Sequence, residues 1–268
     1  KDKEVAAEKI PMPIEWNITE RQKLSPLARH KMKQNPKIYV LYKVVTNVLT
    51  ILKDRGYHVP EDLMHIFAMT PVQFITSYLQ IVQDHNNANP DQMTIRRYLS
   101  RDFQHLDNQE IIHVHFPETP MQSKSTSKAQ IDQLFTTLTE KINSTDDTLQ
   151  NVMIVSEYPL SPQARQSLNI YSSINIEIYT YNEMTFLSSR HFLTPEHKLV
   201  PIKERRELIA SGISLGELKT IAIDDPIVKE KGFKVGDLIE ITRRNNSYYH
   251  PITVTIEYRQ VSLKTMVK

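Results

Sequence analysis

Two histidines one residue apart, His113 and His115 around Val114, form the first pair in the sequence that could carry chemistry. On a strand, residues i and i+2 share a face, so both imidazoles could reach one zinc ion. No third ligand stands at motif spacing, and a solvated or hydrogen-bonded strand face is the stronger reading. His191 and His197 have no serine or carboxylate placed about them as a triad, which makes them structural. Magnesium-dependent hydrolysis on a layered sheet needs an acidic residue on one strand and an acidic-x-Lys triplet on the next. The segments Val152 to Glu157 and Asn175 to Tyr181 offer no such triplet. The chain has five glycines, none grouped, so a phosphate-cradling loop is absent. It has no cysteine, which removes disulfides, thiolate zinc sites and cysteine nucleophiles. No cofactor, metal or small-molecule substrate is therefore expected. Among the cations, Arg96, Arg97 and Arg101 are the one basic cluster of the middle region. They are a candidate phosphate-contacting patch, weighed against a solvated helix face. Arg243-Arg244 reads as a guarded strand edge, and Tyr248-Tyr249 as a packed turn rather than a base-stacking pair.

The elements that must position these residues follow from periodicity. Residues 1–35 hold Pro11, Pro13 and Pro26 among scattered charges and read as an extension, partly disordered. A helix starts after Pro36, with Ile38, Leu41, Val45, Val48, Leu49 and Leu52 as one stripe. Gly56 ends it, and Lys53 and Arg55 suit the negative end of its dipole. Thr70-Pro71 marks another helix start. From Glu110 strands and helices alternate: Ile111 to Phe116, a helix striped by Ile131, Leu134, Phe135, Leu138 and Ile142, the buried run Val152 to Val155, a helix from Ser161-Pro162, and a strand through Ile174, Ile176, Ile178 and Tyr179. That order predicts a layered α/β domain, nuclease-like but without an active site, over residues 36–192. Residues 193–268 predict a small α+β domain. It has a helix from Lys203 to Ala210, a capping-box turn at Ser214 and Glu217, a helix capped by Asp225 with Pro226 first and Gly232 last, and strands from Leu238 to Thr242 and Ile252 to Val261.

The composition, 40% hydrophobic and 24% charged, belongs to a folded chain. Residues 1–35 carry 8 basic and 5 acidic side chains, 36–193 carry 12 and 16, and 194–268 carry 13 and 10. A protein holding DNA alone concentrates a basic face, so any nucleic-acid contact here is expected as one surface of a larger assembly. Apolar runs are too short to span a membrane, and the triplets at Asn17, Asn143 and Asn245 read as chance in an intracellular chain.

The segment Leu193-Thr194-Pro195-Glu196-His197 resembles the Leu-x-Pro-x-His opening of the conserved domain in the family of RNA polymerase fifth subunits, which eukaryotes share with archaea. In register after it stand Asp225-Pro226, Gly232, Gly236-Asp237, Arg243 and Tyr258-Arg259, similar to the family's Asp-Pro, Gly, Gly-Asp and Tyr-Arg series over about 70 residues. Asp54-Arg55-Gly56-Tyr57 is similar to the end of the family's opening helix. Leu218-Lys219-Thr220-Ile221 departs from the family's Leu-Pro-Arg-Ile, and the stretch from Asn245 to Glu257 is longer than usual. Archaeal members lack the amino-terminal domain, so the resemblance implies the eukaryotic or large-virus type. It further implies a non-catalytic subunit of a DNA-directed RNA polymerase, whose carboxyl-terminal domain docks on the largest subunit and whose α/β domain forms part of a jaw beside downstream duplex DNA. Ser161, Pro162, Gln163 and Arg165 are similar to the place where that jaw nears DNA, with Arg96 and Arg97 as further DNA-proximal candidates. Location is expected in the nucleus, or in the virion and host cytoplasm for a virus-encoded copy. The alternatives are an adaptor working off the polymerase and a metal-dependent nuclease.

Overall fold

In the computed structural model the described residues are 36–74, 76–77, 94–118, 125–144, 149–171, 174–245 and 253–263. The expected extension over 1–35, the pair Tyr248-Tyr249 and the side chain of Ile142 lie outside them.

Helix α1 (Pro36–Asp54) buries Leu41, Val44, Val45, Val48, Leu49, Ile51 and Leu52, a stripe wider than the one expected. It stops where Gly56 takes φ +88°, with Gly56 N–H donating to Lys53 O and Tyr57 N–H to Leu52 O; only a residue tolerant of left-handed φ closes a helix this way. A short helix α2 (Glu61–Met64) follows. Thr70 then caps the helical residues 71–74, its hydroxyl accepting from Gln73 N–H while the Gln73 amide oxygen accepts from Thr70 N–H.

The first sheet has the order β1-β2-β3-β4. Helix α3 (Ile95–Leu99), capped by Thr94, leads into β1 (Arg101–Gln104), which pairs antiparallel with β2 (Ile111–His115). Arg101 therefore opens a strand and does not continue the helix of Arg96 and Arg97. Helix α4 (Lys128–Ser144) connects β2 to β3 (Leu149–Ser156), and α5 (Pro162–Leu168) connects β3 to β4 (Asn175–Thr180), both pairs being parallel. The layers explain the pattern of the central strand. Val152 and Ile154 pack with Ile131, Phe135 and Leu138 of α4 on one side, while Met153 and Val155 join α1, Ile112 and Val114 on the other. With both faces covered, a continuous apolar run is the stable solution.

After a turn of helix α6 (Tyr181–Met184), in which Thr180 and Glu183 form a capping box, the chain enters a second sheet of order β5-β7-β8-β6. Its strands are β5 (Glu196–Leu199), β6 (Lys219–Ala222), β7 (Leu238–Asn245) and β8 (Thr253–Ser262), with helices α7 (Ile202–Ala210) and α8 (Pro226–Lys231) between them. Val228 of α8 packs with Ile221, Ile239, Ile241 and Val261 as a small core. Sequence periodicity found β7 and β8, and the stretch that Pro195 and Pro201 bracket, extended by its prolines, holds β5; β6 was missed, a four-residue strand whose Lys-Thr-Ile-Ala gives no alternation to read. The capping box expected at Ser214 and Glu217 does not form: the turn Leu215–Glu217 has no side-chain cap bond.

Candidate functional site

Helix α8 has local causes at both ends. The Asp225 carboxylate accepts from Ile227 N–H (2.9 Å) and Val228 N–H (3.4 Å), and Pro226 supplies a preset φ with no amide to satisfy. Gly232 closes the helix at φ +70°. What lies beyond Gly232 is less local, because a Cβ there would sit 2.9 Å from Nε of Arg55, a residue from the end of α1.

The Arg55 guanidinium is enclosed, its side chain 8% exposed. Two nitrogens donate in a fork to the Glu177 carboxylate at 2.9 and 2.8 Å, one of them also reaching Tyr179 Oη at 3.2 Å. The remaining donors meet the carbonyl end of α8, at Lys229 O (2.5 Å) and Glu230 O (3.2 Å). Arg55 was expected to serve its own helix dipole; it caps a helix of the second unit instead. A planar five-donor fork is the side chain able to serve a carboxylate and two carbonyls together. Burial by itself favours loss of its proton, but Glu177 outweighs burial and the cation is strengthened. Tyr179 donates to Lys229 O (2.9 Å) or to Glu177 (3.0 Å), and burial, then the Glu177 charge, raises its phenol.

A second contact runs the opposite way. The Glu230 carboxylate, 7% exposed as a residue, accepts from Ser188 N–H (2.6 Å) and Ser189 N–H (2.8 Å) at the head of the connector between the sheets. Arg190 of that connector donates to both oxygens of Asp54 at 2.6 Å. Lys229 Nζ donates to Ile178 O at 3.1 Å and lies 4.5 Å from the Tyr179 ring. The seam is thus a ring of polar contacts: α1 to connector, connector to α8, α8 back to α1. Glu177, Glu230 and Arg190 were not singled out from sequence, and Tyr179 was read only as a strand residue. One signal was available, a carboxylate between Ile176 and Ile178 within a strand, because a charge drawn out of water demands a partner.

The other motif residues form scaffold. His197 Nδ1–H donates to Pro195 O (2.7 Å), and burial lowers the basicity of this ring. Gly236 turns at φ +92°, and Asp237 accepts from Lys234 N–H at 2.7 Å. Glu257 gathers Arg259 (3.0 Å), Lys219 (3.5 Å) and Arg243 (3.6 Å), while Tyr258 reaches Glu240 at 3.4 Å.

The DNA-proximal candidates are dispersed. Ser161 caps α5 by accepting from Ala164 N–H, and Pro162, Gln163 and Arg165 are exposed. Arg96 is paired with Glu157 at 2.5 Å, Arg101 with Asp62 at 2.7 Å, and Arg97 is exposed. His113 is buried and bonded through Nδ1 to Asp102 at 2.5 Å, and His115 stacks 6.0 Å from it. Burial, then the charge of His113, pushes His115 down to about 3. Among the described residues no group of three or more His, Asp or Glu is placed to hold a metal, and no helix is long and apolar enough to cross a membrane.

Residues 187–261 match the family model described as RNA polymerase Rpb5, C-terminal domain. That span holds β5 to β8, α8 and its Asp225 cap. The DNA-directed RNA polymerase subunit Rpo5 of Archaeoglobus fulgidus is 41% identical over 63 residues, 23% of this chain and 83% of that one. The subunit RPABC1 of DNA-directed RNA polymerases I, II and III from Caenorhabditis elegans is 25% identical over 227 residues, 80% of this chain and 94% of that one. A similar subunit from Dictyostelium discoideum is 25% identical over 151 residues, 55% of this chain and 72% of that one. The match at 41% identity across 83% of an archaeal subunit, with the family model over residues 187–261, shows that the chain belongs to the Rpb5/Rpo5 family, the fifth subunits of DNA-directed RNA polymerases.

Proposed function

We propose that the chain is a non-catalytic, structural subunit that docks through residues 193–268 on the largest polymerase subunit and carries residues 36–192 as a jaw beside downstream duplex DNA. The observation that supports docking through the carboxyl-terminal unit is its apolar surface: Ile202, Val235, Val254 and Ile256 are each more than half exposed, and α7 has no buried residue. Val254 and Ile256, two residues apart on β8, share a face, and an open apolar strand face is a surface another macromolecule can cover. The division at 192/193 is supported by the two sheets, whose strands fall entirely to either side of it.

For the jaw, Gln163 and Arg165 at the head of α5 are the best placed phosphate contacts, because both are exposed. On α3, Arg97 is the exposed member of the Arg96-Arg97 pair and is the candidate there. Such contacts hold DNA without reading sequence, need no cofactor, and fit the absence of a concentrated basic face. The length of the match to RPABC1 favours the nuclear type; a virus-encoded copy would work alike in the virion and host cytoplasm.

The test is affinity purification of the tagged full-length chain from its native source. Stoichiometric recovery of the two large polymerase subunits is the expected result, and their sequences fix the compartment. A clean monomer would reject the proposal in favour of an off-polymerase adaptor.

A further inference from the structure

The two units touch along a narrow polar seam, and domains joined by modest polar contacts are expected to move relative to one another. This seam is built to resist that motion. Its central group, Arg55, is buried and fully charged, and its donors are divided between the first sheet (Glu177) and the carbonyl end of α8 in the second unit. Swinging one unit away would keep Arg55 on Glu177 but take its other donors from the two carbonyls of α8, where the Arg55 side chain is only 8% exposed and water replaces them poorly. The connector cannot take up the motion, because Glu230 holds its Ser188 and Ser189 amides and Asp54 holds its Arg190. Gly232 adds a steric condition: a Cβ there would lie 2.9 Å from Nε of Arg55, so any other residue would make the fork shift.

We propose that Arg55 is the positioning residue of the molecule, locking the α/β unit to the carboxyl-terminal unit at one angle so that the two move as a single lever. The lock concerns the chain's own halves and stands or falls apart from where the chain docks. Under the proposed function it means that the angle of the jaw is set within this subunit and not by its neighbours.

The absence of cysteine permits a direct test, since two introduced thiols are the only ones to label. Gln166→Cys on α5 and Glu207→Cys on α7, both exposed, carry spin labels in the full chain, and their distance distribution is measured by pulsed electron resonance. With Arg55 present one narrow distance is expected. With Arg55→Ala the distribution should broaden at least about twofold while far-ultraviolet dichroism stays constant. Arg55→Lys should broaden it as well, because a single ammonium cannot serve Glu177 and both carbonyls. A distribution as narrow in Arg55→Ala as in the parent overturns the lock, and a narrow one in Arg55→Lys overturns the bridging role of the fork. Should Arg55→Ala fail to fold, the double variant Arg55→Met with Glu177→Gln removes the fork without stranding a charge; a broadened distribution is expected, and a narrow one overturns the lock.

Discussion

Glu230→Gln isolates one half of the seam with almost no change of shape. The native carboxylate lies 2.6 Å from Ser188 N and 2.8 Å from Ser189 N, in a residue only 7% exposed. Hydrogen bonds to a charged acceptor contribute about 1.5–3 kcal/mol each, and a buried donor left unpaired costs about 1–3 kcal/mol. Glutamine keeps one acceptor oxygen, so one amide retains a weaker bond while the other faces an NH2 group, donor against donor. The sum is a loss of about 2–4 kcal/mol, and Glu230→Ala, which abandons both amides, should lose about 3–5 kcal/mol. The assay is urea denaturation of the full chain, followed by the shift in midpoint at unchanged slope. In heat the same change should lower the transition by about 2–4 °C per kcal/mol. If Glu230→Gln stays within about 0.5 kcal/mol of the parent, the carboxylate is not what holds the connector, and the account of the seam as a closed ring is wrong.

Three further outcomes are expected. His115 is held at about 3 in the folded chain against about 6.5 unfolded, so its contribution is complete above pH 6.5 and is lost as pH falls toward 3. Between pH 7.5 and 5.5 the parent should therefore lose about 1 kcal/mol more stability than His115→Gln, and identical pH profiles would contradict the burial of this ring. Asp225→Ala removes the acceptor for Ile227 and Val228 amides and should cost about 1 kcal/mol in denaturant titrations, whereas Asp225→Asn should cost less than half of that. Phe135→Ala empties a site 1% exposed and stacked 4.0 Å from Tyr171, with an expected loss of about 3–5 kcal/mol; a loss below about 1 kcal/mol would mean that α4 is not a core element.

What could be read from sequence was whatever has a local cause. The Asp225-Pro226 start, the Gly232 stop, the Ser161-Pro162 cap and the stripe Ile131, Leu134, Phe135 each depend on residues within a few positions, and each stands in the structure. The strand β1 escaped because Arg101-Asp102-Phe103-Gln104 shows one apolar residue in four; it is held by pairing to β2, not by its own pattern. The histidine pair is the first candidate for chemistry in the sequence, and the strand that periodicity misses supplies Asp102, which makes His113 half of a part-buried hydrogen-bonded pair, as the hydrogen-bonded strand face had implied. The seam escaped for a related reason. Arg55 finds Glu177 across 122 positions and Glu230 across 175, and nothing near Arg55 in sequence distinguishes it from a cation at the end of a helix.

That separation bears on how the two units came to be joined. The family model covers residues 187–261 alone, and the Archaeoglobus relative matches across 83% of its own length while spanning only 23% of this chain. A helix end is a natural point of attachment for an added domain: its last carbonyls lack partners within the helix and carry partial negative charge. Arg55 meets that existing need at Lys229 O and Glu230 O, while its second face is neutralised by Glu177 from its own domain. Docking at a glycine-closed helix end asks little of the carboxyl-terminal unit beyond the glycine its Schellman-type turn already favours, at φ +70°. The buried charge contributes little net stability of the pair over an apolar contact. It contributes direction, since a fork with five donors fits the carboxylate and the helix end at one angle only, where an apolar patch of the same area would allow the units to slide.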